Sequence, residues 1–326
     1  MPRPRKYFPH GSPVFATASL EQGLLLLSNP LCISILKSCL ARALQLFPVD
    51  LCHFVINSNH VHFIFVVIDP TDACKFMGYF KAEVAHRLNI LMGFDKRTVW
   101  CEGYDSPVLL DPVRALIAVS YLYANPAKDY QEDSIDNFPG LSSWNMFLNE
   151  EYIDNWHYLS RTKFRELPDK MHNLAGYSRE AHRILESSKD TIQIEIKPNS
   201  LLKALGIKTE LEQKLWREKL IKRVRTLEER FENKRIRENK KVIGRENLLK
   251  MRLTLNYNPK RNGKRMWCLA EKKRDRIEFI ERLKSLIKIA KEVFKNWHLG
   301  DYSMKFPCGL FPPGMPKLTE PVCVFS

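Results

Sequence analysis

Several kinds of machinery are missing from this 326-residue chain. It has no Gly-x-x-x-x-Gly-Lys-Ser/Thr loop, so the backbone cradle of P-loop nucleotide enzymes is absent. It has no His-Glu-x-x-His helix and no third histidine at a usual spacing, which excludes the common zinc hydrolase patterns. None of its eight cysteines, at 32, 39, 52, 74, 101, 268, 308 and 323, forms a Cys-x-x-Cys pair. Zinc knuckles and dithiol redox sites are therefore excluded, and most of these thiols read as reduced and packed. No apolar run reaches the ~20 residues of a membrane helix. The basic start Met1-Pro2-Arg3-Pro4-Arg5-Lys6 leads into neither a signal-peptide core nor a cleavage site, Leu24 to Leu27 being too short. An intracellular protein with no membrane partner is expected. No internal repeat is present.

What is there is a globular composition, 44% hydrophobic and 27% charged, enough to bury a core. The net charge of +15 is unevenly spread: residues 1–150 hold 12 Lys and Arg against 14 Asp and Glu, and residues 151–326 hold 40 against 23. A neutral front and a basic back suggest chemistry in one part and a grip on a polyanion in the other, nucleic acid being the natural candidate. A set of solvated lysine-rich helices fits the same counts.

The front half reads as alternating elements. Pro13 to Leu20 is a strand and Asn29 to Leu46 a helix with Pro30 in its first turn. Val49–Ile56 and Val61–Ile68 form a hairpin around Asn57-Ser58-Asn59. Asp72 to Leu91 is a helix striped by Phe76, Met77, Phe80, Val84 and Leu88. Thr98 to Leu110 contains a strand, and Asp111 to Asn125 is a helix capped by Asp111 and stopped by Pro126. This order predicts a ferredoxin-like split pattern plus one helix, with one sheet face free for a ligand. Farther on, Thr191 to Ile196 reads as a short strand. Lys208 to Lys241 is a long helix with a seam of Leu211, Leu215, Leu220, Val224, Leu227 and Phe231. Breaks follow at Gly244 and at Asn258-Pro259 to Gly263, then a helix from Asp275 to Trp297. Phe306 to Gly314 is rich in proline and glycine.

Two stretches carry chemistry. His60 and His62 share one strand face, so their imidazoles can hold one metal ion, or simply sit half-exposed. Tyr121 and Asn125, four apart, share a helix face. A tyrosine beside a metal-bound phosphate can attack phosphorus, and an amide oxygen can be a third ligand. Two imidazoles and an amide with open positions suit Mg²⁺ or Mn²⁺. On spacing alone Tyr121 also fits a core aromatic and Asn125 a helix cap. Lys81 and Arg87, on the second helix, are candidates for contact with a DNA backbone, with a solvated face as the alternative.

Taken together, Asn59-His60-Val61-His62, Val99-Trp100-Cys101-Glu102-Gly103-Tyr104 and Tyr121-Leu122-Tyr123-Ala124-Asn125-Pro126 resemble the single-tyrosine transposases of the HUH superfamily. Within it, the REP-associated tyrosine transposases and their longer relatives are most similar. The resemblance covers about residues 10–150. It implies His60, His62 and Asn125 as metal ligands, Tyr121 as nucleophile, and Mg²⁺ or Mn²⁺ as cofactor. It implies hairpin-bearing single-stranded DNA as substrate, cut to a 5′-phosphotyrosine and a free 3′-OH. Ser58 stands where many relatives have proline, and Ala127-Lys128-Asp129 departs from the shorter relatives' continuation.

The expected fold is thus α+β: a ferredoxin-like plait over 1–150, an antiparallel sheet with helices on one face, followed by a basic, mainly α-helical region over 151–326. The expected activity is metal-dependent DNA strand transfer, by a monomer or homodimer, in a bacterial-type cytoplasm and at the nucleoid when bound. The alternative is a non-catalytic nucleic-acid-binding protein derived from such a transposase, whose plait and basic tail hold structured nucleic acid without cutting it.

Overall fold

The computed structural model describes residues 6–21, 30–91, 97–101, 103–160, 162, 190–250 and 266–312. Glu102, the break from Asn258-Pro259 to Gly263, Pro313-Gly314 and Cys323 lie outside them. The fold is mixed α+β, with a six-stranded, mostly antiparallel sheet.

Strand β1 (Pro13–Ser19) leads to helix α1 (Pro30–Leu46), then the hairpin of β2 (Asp50–Ile56) and β3 (His60–Val66), then helix α2 (Pro70–Leu91) and β4 (Val108–Leu109). The sheet order is β5-β2-β3-β1-β4-β8, where β5 is Leu141–Ser142 and β8 is Cys268–Leu269. Its four middle strands form the split arrangement that the alternation predicted. β4 is shorter than the segment 98–110 allowed. Pro107 cannot donate to a ladder, and Trp100 and Asp105 meet β1 through the isolated bridges Leu20↔Trp100 and Thr17↔Asp105.

Local chemistry sets the helix ends. Asp69 Oδ1 accepts from the Thr71 and Asp72 amides at 2.7 and 3.0 Å, starting α2. Asp111 Oδ1 accepts from the Arg114 amide at 2.7 Å, starting α3 (Pro112–Tyr123). Pro126 does not stop the chain's helical course. The backbone turns at Ala124 and continues as the short α4 (Asn125–Lys128), where a proline in the first turn costs no hydrogen bond.

One sheet face packs on α1 and α2: Phe63 meets Phe76 at 5.9 Å and Phe80 at 5.2 Å between ring centres. The other face is not free, which corrects the expected helices on one face only. β2 and β3 are apolar on both faces, with Val55 and Ile64 fully buried beside the histidines, and such a face has to be covered. Tyr123 of α3, Phe147 of α5 (Trp144–Leu148) and Trp216 of the long helix α7 (Glu210–Arg237) close over His53 of β2.

The elements beyond residue 150 are fastened to the front. β6 (Ile153–His157) and β7 (Thr191–Glu195) form a second, two-stranded sheet. Its Trp156 packs edge-on against Phe54. Lys197, just before α6 (Pro198–Ala204), pairs with Asp50 at 3.0 Å. Beyond α7 and the short α8 (Arg245–Leu249), β8 extends the sheet parallel to β4. α9 (Lys273–His298) builds a smaller core with Tyr7, Phe306 and Leu310. There Gly309, at φ +82°, lets its carbonyl accept from the Phe8 amide; a Cβ would lie 2.9 Å from Phe8 O. The change of charge near residue 150 is therefore not a break in packing: one core runs from Phe8 to Cys268.

The α7 seam also needs correction. Its buried stripe is Trp216, Leu220, Val224 and Glu228, while Leu211 is 68% exposed and Leu215 45%.

Candidate active site

The site lies at one end of β3, where three elements meet. His60 and His62 project to one side with ring centres 4.7 Å apart. β1 backs them: Thr17 stands opposite His62, its Oγ1 2.9 Å from Nδ1. α4 supplies Asn125, buried, whose Nδ2 donates to His62 Nε2 at 3.1 Å.

These contacts define the tautomers. Asn125 Nδ2 can only donate, so His62 Nε2 carries a lone pair and its Nδ1–H donates to Thr17. His60 Nδ1 donates to Asn59 Oδ1 at 2.6 Å, which leaves His60 Nε2 with a lone pair as well. That nitrogen accepts from Asn57 Nδ2 at 3.0 Å. Both imidazoles are held neutral. Burial lowers the His62 pKa well below its ordinary value, helped by His60 and the Lys128 charge. Burial also lowers that of His60, with Asp129 opposing and Lys128 assisting. Neutral imidazole is the form that binds a metal.

The donor set can hold a divalent cation. Asn125 Oδ1 is buried without a hydrogen-bond partner among the described residues, an arrangement that costs stability unless something else occupies that oxygen. No cluster of three His, Cys, Asp or Glu stands among the described residues, so a cation here would rest on two imidazoles and amide oxygen. Three such donors would leave further positions for phosphate or water.

Tyr121 is half-buried on α3, one turn before Asn125. Lys128 Nζ lies 5.0 Å from the centre of its ring. Burial would discharge this lysine, but Asp129, 3.3 Å away, and Tyr121 outweigh it and raise its pKa. Tyr123 faces the opposite way. Its hydroxyl is enclosed, 2.9 Å from both His53 Nδ1 and Ser143 Oγ, and burial raises its pKa further. Tyr130 bonds Glu238 at the far end of α7.

The two DNA-contact candidates divide. Lys81 is at the surface, donating to Gly103 O at 2.6 Å. Arg87 is 1% exposed, which corrects its candidacy. Its guanidinium pairs with Glu83 at 2.9 Å, four residues back, and donates to Leu159 O at 3.1 Å. A buried, paired guanidinium ties α2 to the chain beyond β6 and cannot reach a ligand.

Thr17, Asn57, Asn59 and Lys128 were missed as neighbours of the site. Lys128 had a signal, since 121, 125 and 128 follow one helical stripe. Thr17 depends on the β1–β3 register, which no local pattern gives.

No family model matches the chain, and no curated protein matches it. Among solved structures the chain is similar to a REP-associated tyrosine transposase bound to a REP hairpin. The TM-score is 0.40 and the identity 16%, over 46% of this chain and 87% of that one. A likeness of that size carries no argument, and the side chains themselves have to support any reading of function.

Proposed function

We propose that this chain is a transposase that cuts and rejoins single-stranded DNA at hairpin-bearing sites through a 5′-phosphotyrosine intermediate. The observation that carries the reading is the convergence of two neutral imidazoles with the buried, unpartnered Oδ1 of Asn125, one helical turn from Tyr121.

His60, His62 and Asn125 would hold Mg²⁺ or Mn²⁺. When bound, the cation would draw charge from a phosphate and stabilise the oxygens as it is attacked. Tyr121 Oη forms the new bond to phosphorus as its proton leaves to solvent, and the bond to the 3′ oxygen breaks, that oxygen taking a proton from solvent to become a 3′-OH. The Lys128 charge lies beside that phenol at the outset. The phosphotyrosine ester conserves the energy of the broken ester, so rejoining runs the step backwards and needs no nucleotide triphosphate.

A binder that grips nucleic acid on its sheet, without cleavage, needs an open sheet face. Here α1 and α2 cover one face, and Tyr123, Phe147 and Trp216 close over His53 on the other. The deciding experiment incubates the protein with labelled, hairpin-bearing single strands and Mn²⁺. A covalent protein–DNA band supports the transposase. Tight binding with no band across a broad panel replaces it with the binding protein.

A further inference from the structure

Asn57 sits in the turn between β2 and β3, fully buried, three residues before His60. Its amide repeats what Asn125 does on the other histidine. Asn57 Nδ2 donates to His60 Nε2 at 3.0 Å, as Asn125 Nδ2 donates to His62 Nε2 at 3.1 Å. In both residues Oδ1 is buried with no partner among the described residues. Two buried amides, each covering the lone pair of one imidazole and each leaving its oxygen unused, form a matched arrangement.

We infer that Asn57 is a further ligand of the cation held by His60, His62 and Asn125. A half-turn of the terminal amide torsion, which is broad and two-fold, exchanges Oδ1 and Nδ2. It would bring Oδ1 to where Nδ2 now stands, beside His60 Nε2. The spacing suits shared coordination: in an octahedron with bonds of about 2.1 Å, adjacent ligand atoms stand about 3.0 Å apart. Without a cation the amide N–H satisfies the imidazole; with one, the same side chain offers oxygen. The turn is rigid enough for this, because the Asn57 backbone N–H donates to His60 O at 2.9 Å. The inference rests on the reading of His60, His62 and Asn125 as ligands.

The test is titration of Mn²⁺ into the full-length protein without DNA, reading free Mn²⁺ by electron paramagnetic resonance. Wild type, His62→Ala, Asn57→Asp and Asn57→Leu are compared. Loss of the ligand in Asn57→Leu should raise the Kd for Mn²⁺ about tenfold or more. Asn57→Asp keeps the shape and adds charge, so it should tighten binding. If His62→Ala loses Mn²⁺ while Asn57→Asp binds no more tightly than wild type, Asn57 is no ligand and the transposase reading stands. If wild type binds no Mn²⁺, both fall. Circular dichroism shows whether Asn57→Leu folds; if it does not, Asn57→Asp alone decides.

Discussion

Tyr121→Phe removes one oxygen from a half-buried ring and leaves the imidazoles and Asn125 in place. Cleavage and the covalent adduct should fall by about 10³-fold or more while the melting temperature stays unchanged. Tyr123→Phe should do the reverse. It strips a partner from His53 Nδ1 and Ser143 Oγ, costing about 1–3 kcal/mol in urea unfolding, and the adduct should still form. Adduct formation by Tyr121→Phe at the wild-type rate would remove Tyr121 from the mechanism. His60→Ala or His62→Ala should each abolish cleavage in Mn²⁺ with the far-ultraviolet spectrum retained; cutting at the parental rate would place the site elsewhere. His53 gives a pH signature. Burial lowers its pKa to about 3, against about 6.5 in the unfolded chain. Between those values the unfolded chain takes up a proton that the folded chain refuses. Its contribution is therefore complete above about pH 6.5 and shrinks by about 1.4 kcal/mol per pH unit toward pH 3. His53→Gln should flatten the urea midpoint's fall between pH 7 and 5 by one proton's worth. At this scale the sequence was readable where geometry is local, as for the shared face of His60 and His62. It was silent on burial, so Arg87 looked like a surface cation although Glu83 four residues away already offered it a partner.

α7 is fastened by Glu228, a carboxylate 6% exposed. Its Oε1 accepts from the Ile135 amide at 2.7 Å and its Oε2 from Arg225 at 2.9 Å, while Arg225 also pairs with Asp136. Burial raises its pKa, with the Ile135 amide and Arg225 opposing. Glu228→Ala would strand a buried amide and should cost about 2–3 kcal/mol in urea unfolding, Glu228→Gln distinctly less. A loss under about 0.5 kcal/mol in the alanine variant would mean that the 131–138 loop holds itself. The order of strands and helices from Pro13 to Tyr123, the Asp111 cap and the long helix were legible, because periodicity and capping are local; the short β5, α5, β6, α6, α8 and β8 were not read. The face that α7 buries was not. Its sequence offers Leu211 and Leu215 as readily as Trp216 and Leu220, and only the docking on α3 selects between them.

The positive charge of the whole molecule is concentrated beyond residue 150, yet that part cannot be cut away to test it, since Trp216, Leu220 and Val224 belong to the common core. Neutralisation is the usable route. Lys219, Lys222 and Arg230 are exposed on one face of α7. Arg223 of that face bonds Ser120, next to Tyr121, at 3.1 Å. Changing the three to glutamine should reduce the slope of log affinity against log salt by about 2 for single-stranded DNA, at roughly 0.7 per phosphate released. An unchanged slope would move the grip to another surface. Asp111 has a consequence of a different kind. One of its oxygens caps α3, and the other accepts from the Glu271 amide at 2.7 Å, across 160 residues of sequence. Beside it β4 has β8 as its outer neighbour. A ribosome adding about 5–20 residues per second needs on the order of 10–30 s to span that interval. Throughout that time the nascent helix bearing Tyr121 has half its anchor, and the sheet has a bare edge. Completion of this corner of the fold is thereby postponed until the chain has been extended past residue 271.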